Sequence, residues 1–450
     1  MDSRHPTWAT SDRWVPQTFI RPFVRFSQIE ASSGIVLLLA AVVALIWANS
    51  AASDNYFSLL EEPISLEFLG FHLEETLHAF INDGLMAVFF FVVGLEVKRE
   101  LVLGDLSDPK AAALPVLAAL GGMIFPALIF VFFNLGAGGE VLRGWGIPMA
   151  TDIAFAVGVA ALLASRVPPG AKLFLLAIAI ADDIGAIAVI ALFYTDDLHG
   201  GWLGAAVGGL LLVWVAARIN IRALWFYVPM AFIIWYFTLE SGVHATLAGV
   251  ALGFITPARA YYRPREFDAR ARAVLDQFPL EPDTPRAHEH ADHEALLIGR
   301  MATEAVAPLN RMERNLTAWS SYLIVPIFAL ANAGVDFRPI RLGEAATSTV
   351  ALGIAVGLVA GKLIGISAFS FAAVRLGLGR LPSETTWSHV VGVAAVGGIG
   401  FTVSLFVTDL AFTGAEITDL AKVGIFAGSL AAGIIGSLIL LRSPKRMTER

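Results

Sequence analysis

Along the 450-residue chain, apolar stretches alternate with short breaks of charge, Gly and Pro. Twelve apolar segments stand out, at residues 33–49, 77–97, 111–134, 146–165, 173–194, 202–217, 223–238, 242–256, 318–335, 348–374, 388–408 and 420–441. A helix needs roughly 20 such residues to cross the hydrocarbon core, and in lipid a helix satisfies every backbone donor and acceptor internally. The pattern predicts an all-α polytopic membrane protein with about twelve transmembrane helices. Its divisions are an N-terminal tail (1–32), spans one to eight (33–256), a polar connection (257–317), spans nine to twelve (318–441) and a C-terminal tail (442–450).

Composition sharpens this. Hydrophobic residues make up 57% and charged residues 15% of the chain, against about 25% charged in soluble domains. The absence of cysteine excludes disulfides, thiolate metal sites and cysteine nucleophiles. A net charge of -7 argues against nucleic acid as a partner. The opening MDSRHPTWATSDRWVPQTF has neither an apolar core nor a small-residue cleavage site, so no removable signal peptide is expected.

Charge also sets orientation. Lys and Arg number 26 on the side shared by both tails and 3 on the other, which are Arg143, Arg338 and Arg341. Both termini are therefore expected in the cytoplasm. The outer connections carry Asp54, Glu61, Glu62, Glu67, Glu74 and Glu75, then Asp196 and Asp197. These acids reflect either the exclusion of positive charge or a mild steering of cations. In the 257–317 connection, AHEHADH brings His288, His290 and His293 close together. That spacing invites a metal reading, but without cysteine and amid charge a solvated linker is the expectation.

The informative residues are ionisable ones deep in apolar segments: Glu96, Asp152, Asp182, Asp183, His244, Lys362 and Lys422. Even mild scales place a charge at the bilayer centre at about 2.5–3.5 kcal/mol, so each needs a partner or a function. Lys422 lies near a span end and can snorkel. Lys362, in AVGLVAGKLIGISAFSFA, needs a carboxylate, with Asp182, Asp183 and Asp152 the candidates. His244, in SGVHATLAGV, sits among small residues, as a hydrogen-bonded packing histidine would. Glu96 and Glu100, with Lys98 and Arg99 between them, read as a charged cytoplasmic rim.

Two spans look interrupted. In GWGIPMATDIAFAVG, Pro148 removes a backbone donor beside Gly144 and Gly146, and Thr151 and Asp152 follow at once. In HVVGVAAVGGIGFTVSLFV, Gly397, Gly398 and Gly400 precede Thr402 and Ser404. Close packing through small residues is the alternative for each, but together with Asp152 the two segments are expected to be interrupted. A pair of interrupted spans in the two halves of a chain is also the sequence sign of a transporter's binding site.

Carboxylates and a threonine hydroxyl are hard ligands, suited to alkali and alkaline-earth cations. Neighbouring carboxylates in a low dielectric resist ionising together, so such a site holds protons when empty and releases them to a cation. Adjacent helical residues point about 100° apart. One of Asp182 and Asp183 can thus face the ion and the other a salt-bridge partner.

The stretches DGLMAVFFFVVGLEVKRE (83–100), ATDIAFAVG (150–158), LFLLAIAIADDIGAIAVIALFYT (173–195), SGVHATLAGV (241–250), FALANAGV (328–335), GKLIGIS (361–367) and GGIGFTVSLF (397–406) resemble the NhaA family of bacterial sodium/proton antiporters. That family is an established inverted-repeat architecture. The resemblance implies repeats of spans three to five and ten to twelve, with the interrupted fourth and eleventh crossing near the midplane. It implies a secondary transporter of the bacterial inner membrane, not an enzyme, with no cofactor, exchanging sodium or lithium for protons electrogenically and supporting pH homeostasis and salt tolerance. Asp182 and Asp183 would carry cation and proton, and Lys362 would pair with Asp182. Asp152 and Thr151 would lie at the crossing. Glu96, Lys98, Arg99, Glu100 and His244 would belong to the pH response. A hairpin near 50–70 would join two copies into a homodimer. The competing readings are an intramembrane aspartyl protease, using Asp152 with Asp182 or Asp183, and a passive cation channel.

Overall fold

A computed structural model describes residues 31–68, 71–195, 198–279, 284–338 and 342–444. Most of the N-terminal tail with its arginines, Asp196, Asp197, Arg341 and the end of the C-terminal tail lie outside the described residues. Each of the twelve predicted segments falls on helix. Among the described residues, seven helices are individually long and apolar enough to cross a membrane, and two bent pairs raise this to nine.

The other spans differ from expectation for physical reasons. The eighth is only the ten-residue helix Thr246–Ile255, about 15 Å long. It lies against the second span, Leu77–Val102, with backbones almost touching. A Cβ on Gly249 would fall 2.0 Å from the Ala87 carbonyl oxygen, and one on Gly253 would fall 2.8 Å from that of Phe91. The ninth begins with Pro308–Trp319, ten residues ahead of the predicted 318, and runs on through Ser320–Ile324 and Val325–Asn332. Its added turns are polar but bury Leu309 and Glu313. Hydropathy marks how deep a segment lies in lipid, not where its helix stops.

The repeat layer comprises the third span (Pro109–Phe133), fourth (Gly139–Leu162), fifth (Pro169–Phe193), tenth (Thr349–Arg375), twelfth (Ala415–Arg442) and the bent eleventh (Trp387–Val396 with Phe401–Ala411). Third packs on fifth as tenth packs on twelfth, and fifth meets eleventh as twelfth meets fourth. Third also packs on tenth, and fourth on eleventh. The pattern maps onto itself when the two triplets are exchanged. The triplets are seven spans apart, so they run in opposite directions through the bilayer. At the third–tenth crossing, a Cβ on Gly121 would lie 2.2 Å from the Gly365 carbonyl oxygen, and one on Gly365 would lie 2.1 Å from that of Gly121. Only glycine admits this approach.

A second layer holds the first span (Ser32–Ala48), the second, eighth and ninth, with the first on the ninth and the ninth on the second. The sixth (Gly200–Arg218) and seventh (Leu224–Glu240) pair with each other and reach the eighth. A helix, Ser53–Glu61, turns 111° from the first span. It leads to an antiparallel hairpin of Pro63–Phe68 and Phe71–Thr76, paired from Pro63↔Thr76 to Phe68↔Phe71, slightly later than the expected 50–70.

The connection expected as a solvated linker carries two helices, Pro264–Leu275 and Pro285–Glu304, packed together. Each starts with proline in its first turn, where the missing N–H costs nothing. Arg270–Glu266 and Arg272–Asp268 brace the first at i,i+4 spacing. His290 lies 4.0 Å from Glu294, and no group of three metal-ligating side chains forms among the described residues.

Candidate ion-exchange site

The fourth span unwinds where the sequence predicts. A tight turn over Arg143–Met149 contains Pro148, and Ala150 is extended (φ -74, ψ 147). Helix resumes at Ile153 with Asp152 as its N-cap. In the eleventh span, helix stops at Val396 and restarts at Phe401, bent by 46°. The two breaks clasp each other: the Asp152 N–H donates to the Ile399 carbonyl at 2.6 Å, and the Ser404 hydroxyl donates to that of Ile147 at 2.8 Å. Close passage explains the glycines. A Cβ on Gly398 would lie 2.2 Å from the Leu358 carbonyl oxygen, and one on Gly400 would lie 3.0 Å from that of Ala150.

Asp152 serves both broken helices. Its Oδ1 accepts from the Phe155 N–H at 3.1 Å. Its Oδ2 accepts from the Thr402 N–H at 3.1 Å and the Thr402 hydroxyl at 2.5 Å. Two helix N-termini, each carrying partial positive charge, thus converge on one carboxylate.

Asp182 and Asp183 diverge, as their helical spacing requires. Asp182 Oδ2 accepts from Lys362 Nζ, and both side chains are wholly buried. The Thr151 hydroxyl accepts from Lys362 Nζ at 3.0 Å and sits 2.8 Å from both Asp182 Oδ2 and the Gly397 carbonyl oxygen, either of which can take its proton. Asp182 Oδ1 is buried with no hydrogen-bond partner. Asp183 instead faces a cavity of about 370 Å³, shared with Asp152, Thr151, Thr402, Glu96 and Glu313.

The predicted regulatory residues separate. Glu96 and Arg99 line the cavity; Arg99 is bonded to Glu313 and, at 2.9 Å, to Glu100. Lys98 turns away and donates to the Phe254 and Thr256 carbonyls at 2.7 and 2.5 Å, so its cation caps the C-terminus of the eighth helix. His244 lies elsewhere, with Nε2 2.5 Å from the Tyr194 carbonyl oxygen at the end of the fifth span. Lys422 is buried, near Asp419.

Other residues were not singled out from sequence. By hydropathy Glu313 belongs to the polar connection, because its helix extends past the apolar window. Asn82, Asn332 and Asp409 form a polar group in which Asn332 is buried and the other two are half-buried: Asn82 Nδ2 donates to Asp409 Oδ2 at 3.0 Å, and Asn332 Nδ2 donates to Asn82 Oδ1 at 2.7 Å. Asparagine carries no charge to betray it, and Asp409 falls one residue past its predicted span.

The model of the family described as Na+/H+ antiporter 1 matches residues 24–440. The Na(+)/H(+) antiporter NhaA of Syntrophobacter fumaroxidans is 45% identical over 423 residues, 93% of this chain and 89% of that protein. The Na(+)/H(+) antiporter NhaA 2 of Syntrophotalea carbinolica is 44% identical over 95% of this chain and 97% of that protein. NhaA of Rhodopirellula baltica is 44% identical over 98% and 97%. Among solved structures, the sodium proton antiporter MjNhaP1 from Methanocaldococcus jannaschii aligns over 94% of this chain and 98% of that one with a TM-score of 0.44 and 15% identity. With its crossed breaks, its paired Asp182 and Lys362, and a family match spanning nearly its whole length, the chain belongs to the Na+/H+ antiporter 1 family.

Proposed function

We propose that this protein is a secondary antiporter of the bacterial inner membrane, exporting sodium or lithium in exchange for protons with both termini in the cytoplasm. One observation carries the reading. Asp183 lines a cavity, while its neighbour Asp182 is held by Lys362 and Thr151 at the crossing of two broken helices.

The chemistry follows from competition. A cation entering the cavity meets Asp183, with Asp182, Thr151 and Asp152 as further oxygen ligands. The proton on Asp183 must leave for its carboxylate to bind. As the cation draws on Asp182, the Lys362 ammonium loses its partner and becomes a second proton source. Two protons against one monovalent cation leave a net charge moved per cycle, so exchange is electrogenic. Glu96 and Arg99, with Glu100 bonded to Arg99, fit a cytoplasmic mouth that sets when protons reach the site; Lys98, on the eighth helix end, and His244, on the fifth–eighth contact, would act only through packing.

The protease reading fails on geometry. It needs two carboxylates free to hold a water between them; Asp152 is occupied by Phe155 and Thr402, and Asp182 by Lys362. The channel reading is disfavoured because the cavity lining stops at the crossing and does not include Asn82, Asn332 or Asp409.

In sodium-loaded proteoliposomes, an outward sodium gradient should drive proton uptake, and Asp183→Asn should abolish it without loss of folded protein. Normal exchange by that variant would end the assignment.

A further inference from the structure

Polar side chains also meet at the end of the molecule opposite the cavity, with Asn332 buried and Asn82 and Asp409 half-buried. Asn82 opens the second span and lies fourteen residues before Glu96, about 21 Å along a helix. Asp409 lies seven residues beyond Thr402 on the eleventh span, two turns on and on the same face. Asn332 ends the ninth span and is fully buried.

These groups have a clear division. Within the second layer, Asn82 and Asn332 exchange amide hydrogen bonds at 2.7 and 3.3 Å. Asn332 also donates to the Phe328 carbonyl at 3.0 Å, and its Oδ1 lies 2.9 Å from His78 Nε2, which must carry the proton because Oδ1 can only accept. The link to the repeat layer in this group is the charge-assisted bond from Asn82 to Asp409. One turn further in on the ninth span and two on the second, Phe328 and Phe90 both pack against Phe406 of the eleventh, with ring centroids 6.2 and 5.2 Å apart. All three rings are buried. Phe406 lies between Thr402 and Asp409 in sequence. The same three spans therefore place an aromatic layer inside and a polar layer outside.

We propose that the Asn82–Asp409 contact is the latch that closes the ion site on the side opposite the cavity, with Phe90, Phe328 and Phe406 as the seal beneath it. This rests on the exchange reading, which requires the site to open to each side in turn. The division suits a latch. A hydrogen bond to a half-buried carboxylate holds while the layers are packed together, and water replaces it as they part. The intact Asn82–Asn332–His78 group keeps its shape and re-forms the contact on closing. Asn82→Ala or a covalent bridge thus acts on the opening step, not on cation binding.

The chain has no cysteine, so introduced thiols report alone. The Asn82→Cys/Asp409→Cys double variant, reconstituted and treated with a short bifunctional methanethiosulfonate, should lose sodium-driven proton uptake by roughly tenfold, with recovery on reduction, as expected when a gate limits turnover. Full exchange by protein shown to be bridged, or failure of the reagent to bridge the pair, would overturn the latch. A second arm needs no turnover: Ser321→Cys, in the cavity lining, is labelled with an impermeant maleimide from the cavity side. Adding Asn82→Ala should slow that labelling several-fold by holding the site open to the other side, and an unchanged rate overturns the proposal. Absence of exchange in the unsubstituted protein would instead sink the antiport reading, leaving the labelling arm to judge the latch.

Discussion

At the scale of single residues, the site is built from groups that satisfy one another, so the cost of a substitution depends on what it strands. Lys362 is fully buried and its ammonium is shared by Asp182 and Thr151. Removing one partner of a buried pair costs about 3–5 kcal/mol, because the other charge stays behind. Lys362→Ala should therefore lower the melting temperature in detergent markedly while altering the sodium-to-lithium preference little. An unchanged melting temperature would count against the ion pair. Thr402 is a subtler case. Its hydroxyl gives Asp152 one of three hydrogen bonds and its backbone N–H gives another. Thr402→Val keeps the second, so it should cost about 1.5–3 kcal/mol, the range for a hydrogen bond to a charged group. It should also slow exchange, while Thr402→Ser restores both. Thermal melts and sodium-driven proton uptake on the three proteins check this. The candidate site residues were legible from sequence because charge in an apolar window is conspicuous. Their division of labour was legible only in part. Helical spacing separates Asp182 from Asp183, but nothing in the sequence says that Asp152 caps the eleventh span as well as its own.

At the scale of elements, glycine placement decides which helices touch. Gly121 and Gly249 leave no room for a methyl group, since a Cβ on them would lie 2.2 and 2.0 Å from backbone oxygens of other helices. Gly204, in the sixth span, has nothing within 4 Å. Gly121→Ala and Gly249→Ala should each destabilise by about 1–3 kcal/mol, as overpacking does. Gly204→Ala should be neutral or stabilising by up to about 1 kcal/mol, because alanine is the better helix former. Melting temperatures of the three variants, compared side by side, test the pattern; equal losses would mean that the close contacts are not as placed. The sequence could not rank these glycines, since it shows small residues but not their neighbours. The same limit explains the element boundaries. Each apolar window falls on helix, yet the short eighth helix and the early start of the ninth depend on partners, Gly94 and Phe91 for one and Arg99 for Glu313 in the other. The hairpin is expected from the family resemblance alone, although the alternating pattern in PISLEF and FHLEET is itself a strand signal.

At the scale of the whole molecule, the hairpin stands apart from the exchange machinery. Its base is already closed: the Leu77 N–H donates to the Glu62 carbonyl at 2.9 Å, so residues 63–76 enter and leave the fold at one point. Two strands alone are marginal in water, and among the described residues no third strand pairs with the outer edge of either. A second copy of this chain, pairing edge to edge, would satisfy one such edge on each hairpin. We therefore expect that joining Glu62 to Leu77 through two glycines, with 63–76 removed, converts a dimer in mild detergent to a monomer by light scattering. The ion site lies within the repeat layer and its cavity lining includes no hairpin residue, so exchange per chain should persist. A deletion variant that stays dimeric would place the interface elsewhere. One that turns monomeric and loses exchange would mean that the second copy holds the layers in register, which the internal contacts of a single chain do not require.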